Sequence, residues 1–137
     1  MKIFVCLDDN NGLSFNNRRQ SMDKTIRKKM LALTEGAPLF MNAYSFCQFE
    51  NAPAQIVVDE HFLEKMGAQD FGFVESCAFS LDAVSVLYVF RWNRLYPKDT
   101  VLDFRPTEMN FTLISKEDFA GNSHEKITLE IYRRNEV

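Results

Sequence analysis

The apolar positions near the N-terminus fall in one unbroken run. Ile3, Val5 and Leu7 alternate with Phe4 and Cys6, and both sets are apolar. A strand with that pattern is buried on both faces. The stretch Asp8-Asp9-Asn10-Asn11-Gly12 ends it with turn-forming residues. "LSFNNRRQS" follows and reads as a polar loop. Ser21 or Asp23 can then cap a helix that runs to about Thr34, with Gly36 just past its end. Ile26, Met30 and Leu33 fall at helical spacing and predict one buried stripe, while Arg27, Lys28 and Lys29 lie largely on the opposite, solvated side. "PLFMN" reads as a short buried strand, "AYSFCQFE" as a brief helix and "AQIVV" as another buried strand. Asp59 caps "EHFLEKM", and "FGFVE" is a fourth candidate strand. "VSVLYVFRW" is the longest apolar run and predicts a central strand. "NFTLIS" and "KITLEIYRR" alternate apolar with polar residues, as half-buried antiparallel strands do.

The predicted order is βαβαβαβ followed by a run of strands. It implies an α/β fold: a mostly parallel central sheet flanked by helices, with antiparallel strands added at the C-terminus. No repeat, linker or low-complexity tract interrupts the 137 residues, so 1–137 is read as a single domain. Hydrophobic residues make up 46% and charged residues 26%, which suits a soluble core-forming chain.

The formal net charge of −3 argues against a protein built to hold nucleic acid, since phosphate neutralisation needs many cations on one face. No apolar run is long enough for a membrane helix, and the N-terminus reads as a first strand rather than a signal peptide. Cys6, Cys47 and Cys77 are odd in number and lack C-x-x-C spacing. They are expected to be buried free thiols in a reducing, cytoplasmic setting.

Leu87-Tyr88-Val89-Phe90, Asp99-Thr100-Val101, "NFTLISKEDF" and "NSHEKITLEIYRR" follow one another in the C-terminal half, and in that order they resemble dihydrofolate reductase. More loosely, "IFVCLDDNNGLSFNN" is similar to that family's first strand and mobile loop, residues 22–34 fall where its first helix belongs, and "PLFMNAYSF" where it has a strand, a Gly-Arg pair and a helix. The stretch "IVVDEHFLEKMGAQDFGFVE" admits two alignments, to the family's middle strand and helix or to the helix and strand after them.

The resemblance implies an NADPH-dependent reductase, and the departures from it bear on that chemistry. Asn42-Ala43-Tyr44-Ser45 stands where the family holds cofactor phosphates with a glycine and a cation. Glu75-Ser76 stands where it has a Gly-Gly pair, adding bulk and negative charge, and a β-α unit near this place looks cut down. Ala54-Gln55 replaces the folate-binding arginine, Gln20 lies near the position of the loop tryptophan, and Phe90 takes the place of a threonine partner of the catalytic acid. Asp23 is the one candidate for that acid, out of register by up to three residues, and a helix cap is the competing role.

The expectation is therefore a reductase-like frame without the chemistry. Its cleft is lined by Phe4, Cys6, Asp23, Ile26, Met30, Tyr44 and Tyr88, and it binds a small planar or nucleotide-like molecule with no cofactor. NADPH enters only under an alternative, a residual NAD(P)H-dependent reductase that uses Asp23. A further alternative is an interaction module or homodimer, marked by exposed aromatics around 44–49 and 71–79. His61 and His124 are too few for a zinc hydrolase and are expected to be solvated, and the Asp8–Gly12 spacing does not fit a calcium loop. No P-loop, G-x-S-x-G or Cys-His arrangement is present. Arg91, Trp92, Arg94 and Tyr96 could stack on an anionic ring, but long side chains lying over a sheet edge explain them as well.

Overall fold

The computed structural model describes residues 1–51, 53–102 and 105–136. Its frame is a seven-stranded sheet. The first strand, β1 (Lys2–Leu7), lies near the middle, with Ile3, Phe4 and Val5 fully buried. In chain order the hairpin strands are β2 (Gly12–Phe15) and β3 (Arg18–Arg19). Next come α1 (Lys24–Thr34), β4 (Leu39–Met41), α2 (Ala43–Phe46), β5 (Ile56–Val58), α3 (Phe62–Lys65), β6 (Phe71–Phe73) and β7 (Val86–Arg91). β8 (Thr100–Val101), a 3-10 turn at Pro106–Glu108, β9 (Phe111–Phe119) and β10 (Ile127–Arg134) complete the chain. The large sheet runs β5-β4-β6-β1-β7-β10-β9, and β3-β2-β8 form a small second sheet.

The apolar runs take the central positions because both their faces must be covered. β1 pairs in parallel with β6 and β7. β10 lies antiparallel to β7 and β9, which makes the expected C-terminal addition. This order also resolves the ambiguous stretch: residues 56–58 form an edge strand beside β4, and 71–73 lie between β4 and β1. Two cores fill the faces. Phe4, Ile26, Met30, Phe71, Phe90, Trp92 and Leu129 pack under α1, while Ile3, Val5, Phe62, Val74, Leu87 and Tyr132 pack on the α3 side. On the α1 face Phe4 stacks on Tyr88 at 4.5 Å between ring centres and on Phe71 at 5.8 Å. Residues 74–85 cross from β6 to β7 without a helix.

Several expectations need correction. "LSFNNRRQS" is not a loop but a hairpin. Asn16 and Asn17 both have positive φ (52° and 60°), a turn geometry that asparagine tolerates and that matches strand twist. β5 is not buried, because as a sheet edge it leaves Val57 and Val58 exposed. α3 is a single turn with His61 at its N-cap position. Asp59 stands two residues earlier, accepting from the His61 amide and pairing with Lys65. Cys47 and Cys77 are exposed and Cys6 is half-buried, so apolar sequence neighbours did not place the thiols in the core. His124 is buried rather than solvated. Among the described residues no helix is long and apolar enough to cross a membrane.

One buried carboxylate locks the end of β1. Asp8 has no exposure, and its Oδ1 accepts from the amides of Asn10 (2.9 Å) and Gly12 (2.7 Å). Its Oδ2 accepts from Gln20 Nε2 (3.1 Å), the Tyr96 amide (3.2 Å) and Lys98 Nζ (2.8 Å). Burial raises the Asp8 pKa, but Lys98 and the amides outweigh it and hold the carboxyl below its usual range. Gly12 is required because a Cβ there would run into Lys98 and the Asp8 carboxylate. Asp8→Ala leaves Lys98, the Gln20 side chain and three backbone amides without their acceptor and is expected to lower stability by about 3 kcal/mol. A urea unfolding curve with a lowered midpoint and unchanged slope is the expected observation.

Candidate functional site

Ligands of open α/β sheets sit beyond the carboxyl ends of the strands. Here that end gathers Cys6 of β1 and Asp8 just after it, Tyr44 after β4, Glu75 after β6, Trp92 after β7, and the β2–β3 hairpin. Besides the Asp8 cluster, two polar clusters occupy it.

The first closes the end of β6. Arg19 Nε donates to Glu75 Oε2 at 2.8 Å and its Nη2 to Glu75 Oε1 at 3.2 Å. The same Nη2 reaches the Tyr44 carbonyl at 3.0 Å, and the guanidinium lies over the Tyr44 ring, 4.1 Å from its centre. The Tyr44 hydroxyl accepts from the Arg19 amide at 3.0 Å, and Gln48 Nε2 donates to Glu75 Oε1 at 2.9 Å. Glu75 is 6% exposed, so this is a sheltered, two-toothed ion pair of the strong kind.

The second cluster begins at Asp23. Its Oδ1 caps α1 by accepting from Thr25 N (2.8 Å) and Ile26 N (3.4 Å). Its Oδ2 accepts from Ser123 N (2.8 Å) and Ser123 Oγ (2.7 Å). The Ser123 hydroxyl lies 2.6 Å from His124 Nδ1, and His124 Nε2 lies 2.6 Å from the Tyr96 hydroxyl. A neutral His124 with its proton on Nδ1 satisfies every member: Tyr96 donates to Nε2, Nδ1 donates to Ser123, and Ser123 donates to Asp23. Trp92 stacks on the imidazole at 4.7 Å. Gly121 admits this approach, since a Cβ there would meet the Asp23 carboxylate.

These contacts set the charge states. Burial pushes the Asp23 carboxyl up, but the Ser123 amide and hydroxyl and the Thr25 amide outweigh it and leave the pKa lowered. Asp23 is thus an ionised acceptor with both oxygens engaged, poorly placed to donate a proton. Burial, with the Arg94 charge, lowers the His124 pKa against the pull of Asp23. Burial pushes the Cys6 thiol well up, so it is no nucleophile.

The third feature is a groove of 160 Å³ on the outer side of α1, lined by Lys24, Arg27, Lys28, Leu31, Phe49, Glu50 and Asn51. Lys29 pairs with Glu117 at 2.8 Å. Lys24, Arg27 and Lys28 form no ion pair among the described residues, and Arg27 Nη1 is shielded from water without a partner.

The residues expected to line the cleft are distributed as follows. Phe4, Ile26 and Met30 are fully buried in the α1-side core. Tyr88 is half-buried on Phe4, and Cys6 is half-buried at the edge of the same core. Tyr44 lies under Arg19, and Asp23 is the cap. Arg91 leaves the Trp92–Tyr96 pair and bonds Glu130 at 3.0 Å. The aromatics at 44–49 and 71–79 are buried or half-buried, so they make no exposed patch. Arg19, Gln48 and Ser123 were not singled out by sequence reasoning; the run Arg18-Arg19 inside a polar stretch was the available signal. Among the described residues no group of three His, Cys, Asp or Glu is placed to hold a metal ion.

The titrations give a pH prediction. The folded His124 pKa lies below 6.5, so between the two values the unfolded chain binds the extra proton. Stability therefore rises with pH through that window and is complete above 6.5. Asp23 adds a lower step, with stability lost as pH falls from 3.8 toward its depressed folded value. Urea midpoints taken from acid to neutral pH are expected to trace both steps, and His124→Asn to remove the upper one.

No family model matches the chain. No curated protein matches it by sequence. Among solved structures it is similar to a dihydrofolate reductase from Enterococcus faecalis, determined in complex with NADP(H) and RAB-propyl, with a TM-score of 0.69 and 12% identity over 98% of this chain and 96% of that one. The identity is too low to carry function, and the overlap is nearly complete: the chain has a dihydrofolate-reductase-like fold.

Proposed function

We infer that this protein uses a reductase-like frame to bind a small planar anionic molecule, and that it does not transfer hydride. The observation that carries the reading is an asymmetry of charge. Where the fold family seats a dinucleotide, this chain supplies its own carboxylates. The Ala43 amide at the start of α2 donates to Glu60 at 2.9 Å, and the Ser45 amide to Asn42 at 2.9 Å. Glu75 fills the end of β6 and holds Arg19, the nearby cation. A phosphate there would face two carboxylates and find the helix amides already bonded. The NADPH phosphates therefore do not fit the residues present.

On the other side of Asp23 the charge is reversed. Lys24, Arg27 and Lys28, which form no ion pair among the described residues, outnumber Glu50 around a groove walled by Leu31 and Phe49. A ring against Phe49 with its carboxylate toward Arg27 would use both features. The volume of 160 Å³ suits one ring or the end of a longer molecule. Asp23, ionised and spent on its cap, supplies no proton for a reduction.

Titration with NADPH, followed by its fluorescence and then by absorbance with dihydrofolate added, is expected to give no saturable binding and no oxidation. A thermal-shift panel of pterins, nucleotides and aromatic carboxylates is expected to contain a stabilising ligand. Replacing Arg27 by Gln should weaken that ligand about tenfold or more, the cost of one charge-assisted hydrogen bond. NADPH oxidation, or a panel without any hit, would sink the reading.

A further inference from the structure

We propose a second small-molecule site, on the outer side of the β2–β3 hairpin, that takes a planar ring bearing N–H donors and an anionic group. The concavity there measures 670 Å³ and is lined by Phe15, Asn16, Arg18, Gln20, Tyr96 and Pro97, with Arg19 at its inner edge. It is a different place from the α1 groove and does not depend on that reading.

Several independent features meet in this concavity. Phe15 is 44% exposed although it is a large aromatic at the end of a strand, and Tyr96 and Pro97 add apolar surface. Such surfaces accept the face of a ring. Arg18 is exposed and forms no ion pair among the described residues, so it offers two parallel donors to a phosphate or carboxylate. Gln20 supplies the specific element. Its Nε2 donates to Asp8, which fixes the amide and leaves Oε1 as an acceptor with no partner, shielded from water. A ring N–H entering beside Gln20 would give this acceptor the partner it lacks.

The walls are held in place. The hairpin is tied down by the Asn16 amide to Asp99 (3.0 Å) and by the Asp99 amide to the Ser14 carbonyl (3.1 Å). Tyr96 is fixed at both ends, its amide on Asp8 and its hydroxyl on His124, which Ser123 and Asp23 hold in turn. A ring held rigidly against the solvent loses little freedom when a ligand arrives. His124 is therefore a positioning residue for this site, and the Asp23–Ser123–His124 chain, which reaches no reacting group, acquires a use.

Guanosine 5′-monophosphate is a suitable probe, since it combines a planar ring, N–H donors and one phosphate. Its binding can be followed by saturation-transfer NMR and by Trp92 fluorescence, the only tryptophan and the neighbour of His124. Saturable binding in the micromolar to low millimolar range is expected, weakened at least tenfold by Arg18→Ala and by Phe15→Ala. Both positions are exposed, so the variants should fold with unchanged melting temperature. Arg27→Gln should leave this binding untouched, which separates it from the α1 groove. His124→Asn should weaken the probe less than Arg18→Ala does and should reduce the change in affinity below pH 6.5, where His124 takes up its proton, to that which the probe's own phosphate produces. Absence of saturable binding by the wild-type protein would overturn the proposal. So would binding that is indifferent to Arg18 and Phe15, or binding lost on Arg27→Gln.

Discussion

The Asp8 carboxylate joins parts of the chain that are nearly ninety residues apart in sequence, and the shape of the ligand-facing end follows from it. Its five donors come from the β1 turn, from Gln20 after the hairpin, and from Tyr96 and Lys98 after β7. A buried charge survives only if its lone pairs are taken up, so these segments have to converge. Once they do, Tyr96 stands where its hydroxyl meets His124, and the hairpin lies where Arg19 meets Glu75. The two other polar clusters thus rest on the first.

How far these features could be read from sequence depended on where the partners lie. β1 and β7 were legible because a short apolar run rich in β-branched and aromatic residues and ended by turn-forming or polar residues reads as a strand covered on both sides. The helix after Asp23 was legible because its stripe and cap are local. The hairpin was not, since Asn16-Asn17 lacks the glycine that usually announces such a turn. His124 looked like a surface residue because Trp92, Tyr96 and Ser123 become its neighbours only through the tertiary fold. Glu75 stood out as an obstruction where a glycine pair was expected, yet nothing local indicated that Arg19 and Gln48 would embrace it.

The likeness to a dihydrofolate reductase and the distance from it arise at different levels. Sheet order, parallel pairing and the aromatic layer under α1 belong to the frame, and the frame tolerates wide sequence change so long as volume and pattern are kept. The polar groups at the strand ends are constrained by hydrogen bonding instead, as Asp8 and Glu75 are. At the end of β6 the Glu75 carboxylate and the Arg19 guanidinium satisfy each other without disturbing the sheet. Fold and function can therefore part company within one domain.

The position of β1 has a consequence for how the chain is made. It pairs with β6 and β7, and the register of Lys2 with Phe71 and Val86 means that the pairing of β1 cannot be completed until residue 91 has emerged. For most of that time a strand apolar on both faces has no partner. Non-local parallel pairing is slow to form and leaves hydrophobic edges open to other chains. The nascent protein is therefore expected to lean on chaperones more than its size would suggest, and to refold best when dilute.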